Sequence, residues 1–133
     1  MTAELDALSD VDGYWYLASP YSKYHAGPAA AFVHVSRVAG ALLQRRIPVF
    51  CPIAHSHPVS THSDIPHDDH ELWMWADGPL MAGAHGLMVV LMLGWRESVG
   101  VTEEIRRFRK WGKPVVWLAP SAIGVGIPED TEV

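Results

Sequence analysis

The segment Gly86-Leu87-Met88-Val89-Val90-Leu91-Met92-Leu93 is an unbroken apolar run in which neither alternate face carries a polar side chain. A strand with one wet face alternates, whereas a strand of a parallel sheet covered on both sides does not. A membrane span takes about 20 apolar residues, so the run predicts a strand buried on both faces. Such a strand needs parallel neighbours, and parallel neighbours need crossover helices.

The rest of the chain supplies both. Tyr14 to Ala18 is aromatic and β-prone, and Ser19-Pro20 stops it. Between Pro28 and Arg46 the spacing becomes helical, with Phe32, Val35, Val38, Ala39, Leu42 and Leu43 on one stripe. Ile47 to Cys51 predicts a short strand, and Pro48 near its start is tolerable there. Pro52 to Pro66 has no period and is expected to be a loop. His67 to Ala82 predicts a helix with an acidic start, and Val101 to Trp111 predicts another, ended by Gly112-Lys113-Pro114. Val115 to Leu118 is one more strand. Strands alternating with helices predict a doubly wound α/β fold, Rossmann-like or flavodoxin-like. The expectation is a parallel sheet of four to five strands with helices on both faces. All 133 residues read as a single domain, with 1–12 as a loose acidic leader and 119–133 as an irregular tail.

Composition narrows the partners. The net charge of −5 argues against a nucleic-acid polymer, which requires a basic face. The lone Cys51 excludes an intramolecular disulfide framework. With neither a signal segment nor an apolar span in view, a cytoplasmic protein without membrane attachment is expected.

Ligands of open parallel sheets bind beyond the carboxyl ends of the strands. That rule gathers Ser19–Tyr21, Pro52–Pro58 and Leu93–Gly100 into one candidate site. In Gly94-Trp95-Arg96-Glu97-Ser98-Val99-Gly100-Val101-Thr102-Glu103-Glu104-Ile105, two acids stand side by side near a helix start. At about 100° per residue, Glu104 falls beside the arc of Val101, Ile105 and Phe108. Glu103 points nearly opposite, among Arg106, Arg107 and Lys110. Glu104 is therefore expected to face the protein and Glu103 to face water. An inward acid can cap its own helix or pair with a base; it can also serve as a carboxylate nucleophile. Ser98 and Gly100 before the helix can form an anion cradle.

Taken together, these residues resemble the nucleoside 2-deoxyribosyltransferase superfamily, which includes nucleoside 5′-monophosphate N-glycosidases. The likeness lies in Tyr16-Leu17-Ala18-Ser19-Pro20-Tyr21, in Asp77, in the Ser98-x-Gly100-x-x-x-Glu104 element and in Gly112-Lys113-Pro114-Val115. It spans residues 14–118, and Pro52-Ile53-Ala54-His55-Ser56-His57-Pro58 and Gly94-Trp95 mark a little-characterised branch. The resemblance implies cleavage of an N-glycosidic bond in a nucleoside or nucleotide, with Glu104 as nucleophile. It implies that Asp77 contacts the base or assists its departure, and that Tyr16 orients the glutamate. It places Ala18, Ser19, Pro20 and Tyr21 against the substrate, and Ser98 and Gly100 around its 5′-end, especially a 5′-phosphate. It implies a homodimer or larger homo-oligomer, and no cofactor.

His55, His57, His62, His67 and His70 cluster in sequence. His55 or His57 is expected to face the substrate; the other readings are loop histidines bonded to backbone, or a metal site. No metal-binding signature is present, and none is assigned. Trp95 is expected to contact the substrate. Two further functions remain open beside the glycosidic one: a non-catalytic nucleotide-binding sensor, and a metal-dependent hydrolase built on the histidines.

Overall fold

The computed structural model describes residues 2–133, with side chains described from Leu5 onward. Its elements in chain order are α1 (Thr2–Ala7), β1 (Trp15–Ala18), α2 (Pro28–Gln44), β2 (Val49–Phe50) and α3 (Pro52–Thr61). They continue with α4 (His70–Ala82), β3 (Gly86–Val90), α5 (Val99–Lys110) and β4 (Val115–Leu118). Single 3₁₀ turns cover Trp95–Glu97 and Pro120–Ile123. The sheet has four strands in the order β2-β1-β3-β4, all parallel. This is the expected doubly wound α/β fold.

The period of two along a strand decides which side chain enters which layer. In β1, Trp15 and Leu17 join the core beneath α2, where Val35, Val38 and Leu42 are fully buried. Tyr16 and Ala18 point the other way, into the layer of α4 and α5 with Met81, Val101 and Phe108. The central strand splits likewise, Met88 and Val90 to one side and Leu87 and Val89 to the other. Each large apolar side chain so buried contributes about 1.5–3 kcal/mol. The layer assignment of Tyr16 matters most, because Asp77 on α4 and Glu104 on α5 lie in that layer.

From β1 the chain winds outward to β2, then crosses back to β3 on the other side. The switch point therefore lies between β1 and β3, where ligands bind in such sheets.

Several expectations are corrected. Residues 1–12 are not a loose leader: within the described part, α1 buries Leu5 against the α2 face, and Leu8 accepts the Trp15 indole N–H at 2.9 Å. Pro52–Pro66 is not a loop throughout. Pro52 stands at the first position of α3, where its missing N–H costs nothing, and Pro52, Ile53 and Ser56 turn inward. The following helix starts at His70 rather than His67, because Asp69 caps it by accepting the Leu72 N–H at 3.3 Å. Nor is the tail after 119 wholly irregular: Met92 and Glu129 form an antiparallel bridge, and the Asp130 carbonyl accepts the Trp95 indole N–H at 2.9 Å. Among the described residues, no helix is long and apolar enough to cross a membrane.

Candidate active site

A cleft of about 640 Å³ opens at the switch point, between the carboxyl ends of β1 and β3 and the adjoining ends of α3, α4 and α5. Ser19, Pro20 and Tyr21 form its β1 side. Asp77, Ser98, Gly100 and Glu104 form the side of α4 and α5.

Glu104 is 8% exposed, and Asp77 is also 8% exposed. Burial pushes the Glu104 carboxyl up to about 8, and the neighbouring Asp77 charge adds to the rise. The Tyr16 hydroxyl and the field of Arg107 act against it. Asp77 is raised by burial as well, with Tyr16 and His55 opposing. Beneath both lies Tyr16, fully buried, whose phenol is driven far above its ordinary range by burial and then by the two carboxyls. Its hydroxyl has no partner in hydrogen-bond geometry, and the nearby Glu104 and Asp77 carboxyls add to the rise. One phenol between two crowded carboxyls is a donor with two candidate acceptors. Crowding of the two buried carboxyls favours retention of a proton by the group as a whole.

Helix α5 delivers Glu104 by phase and by capping. Ser98 accepts the Val101 N–H at 3.2 Å and starts the helix, and Val101, Glu104 and Phe108 form its buried face. On the outer face Glu103 accepts Arg106 at 2.6 Å and Arg107 at 3.2 Å, and Arg106 holds its carboxyl down at about 2. The expected division between the two acids is what the helix shows.

Four assigned residues lie elsewhere than expected. Trp95 is not at the cleft: its ring packs on Trp117 at 5.4 Å, and its N–H goes to the tail. Ala18 is buried in the α4–α5 layer. His57 stacks on Phe32 at 4.5 Å outside the cleft. Burial lowers the pKa of its imidazole and raises that of the Tyr21 phenol, and the Tyr21 hydroxyl shares a hydrogen bond with Nδ1 at 2.7 Å. His57 thus acts on the cleft only by fixing Tyr21. His55 is exposed on α3, beyond the cleft lining, and reaches the site through its field on Asp77.

Sequence reasoning included Ser56 in the candidate stretch Pro52–Pro58 without singling it out, and it missed Trp73; both line the cleft. Ser56 was hidden because α3 carries no apolar period. The Trp73 indole N–H bonds the Pro66 carbonyl at 3.1 Å, which fixes the loop before α4. Among the described residues, no three His, Cys, Asp or Glu side chains converge as metal ligands.

No curated protein matches the chain. The model of a family described as a domain of unknown function (DUF1937) matches residues 13–119, which include every strand and both buried acids, and the chain belongs to that family.

Proposed function

We propose that this protein cleaves or transfers the N-glycosidic bond of a nucleoside or nucleotide, with Glu104 as the nucleophile. The observation that carries the reading is a pair of buried carboxyls, Glu104 and Asp77, facing one cleft over one buried phenol. Glycosidic cleavage uses two carboxyl groups, one ionised against the sugar and one protonated beside the leaving group.

Ionised Glu104 attacks the anomeric carbon while the carbon–nitrogen bond breaks, and the bonding pair leaves on the base. Protonated Asp77 gives its proton to that base. The positive charge that builds on the sugar is stabilised by the poorly hydrated carboxylate. Water then attacks the same carbon, the ester to Glu104 breaks, and the proton from water returns to Asp77; a second base in place of water gives transfer. Tyr16 lies beneath Glu104, and its hydroxyl lowers that carboxyl and so favours the ionised form that attacks.

The test is base release from a panel of nucleosides and nucleotides, followed by chromatography. Wild type should release base and Glu104→Gln should not; equal turnover by both would exclude the assigned nucleophile.

One observation favours a second reading, a nucleotide-binding sensor. A Glu104 carboxyl at about 8 is largely protonated at neutral pH and then donates a hydrogen bond instead of attacking. Ligand-dependent thermal shifts without base release at any pH would select it. The glycosidic reading also has the chain assembling as a homodimer or larger homo-oligomer. Trp75, 78% exposed on α4, supports this as a large apolar surface that self-association would cover.

A further inference from the structure

A nucleoside 5′-monophosphate brings nearly two negative charges into whatever cleft receives it. Phosphate sites ordinarily answer with arginine forks, lysines or several open helix amides. This cleft is lined by Asp68, Asp77, Glu97 and Glu104 and by the imidazoles of His25, His67 and His70, and among its lining residues Lys23 is the one lysine or arginine. Arg96 pairs with Asp130 at 2.9 Å, and Arg107 pairs with Glu103. The start of α5 is also largely spent. The Ser98 hydroxyl takes the Val101 N–H at 3.2 Å and the Ser98 carbonyl takes the Thr102 N–H at 3.1 Å. That leaves the amides of Val99 and Gly100, enough for one neutral oxygen and poor for a dianion.

The opposite wall carries neutral hydrogen-bonding groups. Ser19 is 7% exposed, lines the cleft, and its hydroxyl is buried without a partner. A buried hydroxyl left unpaired in a cleft wall costs stability unless a ligand meets it. Ser56, 8% exposed on α3, lines the same cleft. A serine hydroxyl both donates and accepts, as do the hydroxyls of a sugar.

We propose that the substrate reaches this cleft unphosphorylated, as a free nucleoside-type glycoside whose hydroxyl groups bond Ser19 and Ser56. The reaction itself rests on the glycosidic reading above, whereas the charge and hydroxyl preferences are also readable from binding alone.

The experiment sets a panel of nucleosides against their own 5′-monophosphates, using the full chain at about pH 8, where ordinary imidazoles carry little charge. Base release and calorimetric binding are both measured. The expected result is a kcat/KM at least about tenfold higher for each nucleoside that reacts than for its monophosphate, with the same order in affinity. Ser19→Ala and Ser56→Ala should each lower nucleoside affinity about tenfold, as a lost buried hydrogen bond does, while Tm stays near wild type. Equal or better use of the monophosphate would overturn the proposal, as would wild-type affinity in both serine variants. If neither partner of any pair releases base, the glycosidic reading falls, and binding decides this inference. Tighter nucleoside binding upholds it; tighter monophosphate binding, or none by either, overturns it. Should a serine variant fold poorly, the comparison of substrates on wild type still decides the charge preference.

Discussion

Glu103 and Glu104 are consecutive in the chain and stand in opposite electrostatic surroundings across α5. The first is held at about 2 by the Arg106 guanidinium, and the second is pushed up to about 8 by burial and by Asp77. A helix advances about 100° per residue, so neighbours can share a sequence context and no physical one. Exchange of the two acids makes a direct test of the site. Glu104→Gln should lower turnover by about a thousandfold or more, as loss of a nucleophile does. Glu103→Gln should leave turnover within about twofold, because an exposed ion pair contributes about 1 kcal/mol or less. Steady-state base release on the two variants checks both.

The pH dependence of stability follows from the same two residues with opposite signs. Below about 4.5, the ordinary value for this carboxyl, Glu104 is protonated in folded and unfolded chains alike, and it does not oppose folding. Between 4.5 and 8 the unfolded chain releases a proton that the folded chain keeps, so stability falls as pH rises and the loss is complete above about 8. Asp77, raised by burial, acts in the same direction. Glu103 contributes above about 4.5, and its contribution is lost as pH falls towards 2. Glu104→Gln should therefore flatten the Tm profile from pH 5 to 8. At pH 8 it should stabilise the protein by an amount on the order of a few kcal/mol. Thermal melts across that range read it.

The phase of α5 was legible because one apolar arc and one basic arc left each glutamate a single face to occupy. The central strand was legible for a similar reason, since Leu87 to Val90 offer no wet side. Helix α3 was not, because its inward face is only Pro52, Ile53 and Ser56 among serines, prolines and histidines. Without that helix, Ser56 could not be singled out within Pro52–Pro58, nor His57 assigned to its place against Phe32 and Tyr21. Trp95 was misjudged because its partners lie far along the chain, at Trp117 and in the tail at Asp130. A sequence-local reading carries no sign of either contact.

Catalysis should titrate with the buried pair. Attack requires ionised Glu104 and base departure requires protonated Asp77, so kcat/KM should rise through neutral pH as Glu104 ionises and fall again at higher pH as Asp77 loses its proton. The midpoint belongs to the coupled pair rather than to one residue. Asp77→Asn removes the like charge that raises Glu104, so any residual activity should show a lower midpoint. The same variant should slow base departure for poor leaving groups more than for good ones. A pH profile on two substrates of different base acidity separates the two effects.

Tyr16→Phe separates positioning from folding. The hydroxyl it removes is buried and unpartnered, so deletion should cost little stability, within about 1 kcal/mol in either direction. The remaining ring keeps its packing against Phe50 at 6.0 Å and Phe108 at 5.9 Å. Because the hydroxyl helps hold the Glu104 carboxyl down, its loss should move the activity midpoint to higher pH. Lower turnover at pH 7, partly recovered at pH 9, with an unchanged Tm, is the expected signature. A drop in Tm with no movement of the midpoint would make the phenol a packing residue only.

Gly86 fixes how closely the sheet that carries the site can assemble. A Cβ at this position would stand 2.7 Å from the Pro114 carbonyl oxygen and 2.7 Å from the Trp15 ring. Both neighbours are held, the first by its bond to the Leu87 N–H at 2.9 Å and the second by the Leu8 carbonyl. Gly86→Ala must therefore push β4 or the Trp15 ring outward, at a cost of about 1–3 kcal/mol. The cleft lies at the opposite, carboxyl end of these strands, so the Glu104–Asp77–Tyr16 group should keep its geometry. The expected outcome is a lower Tm with kcat and the activity midpoint unchanged below the transition, read by paired melting and rate measurements.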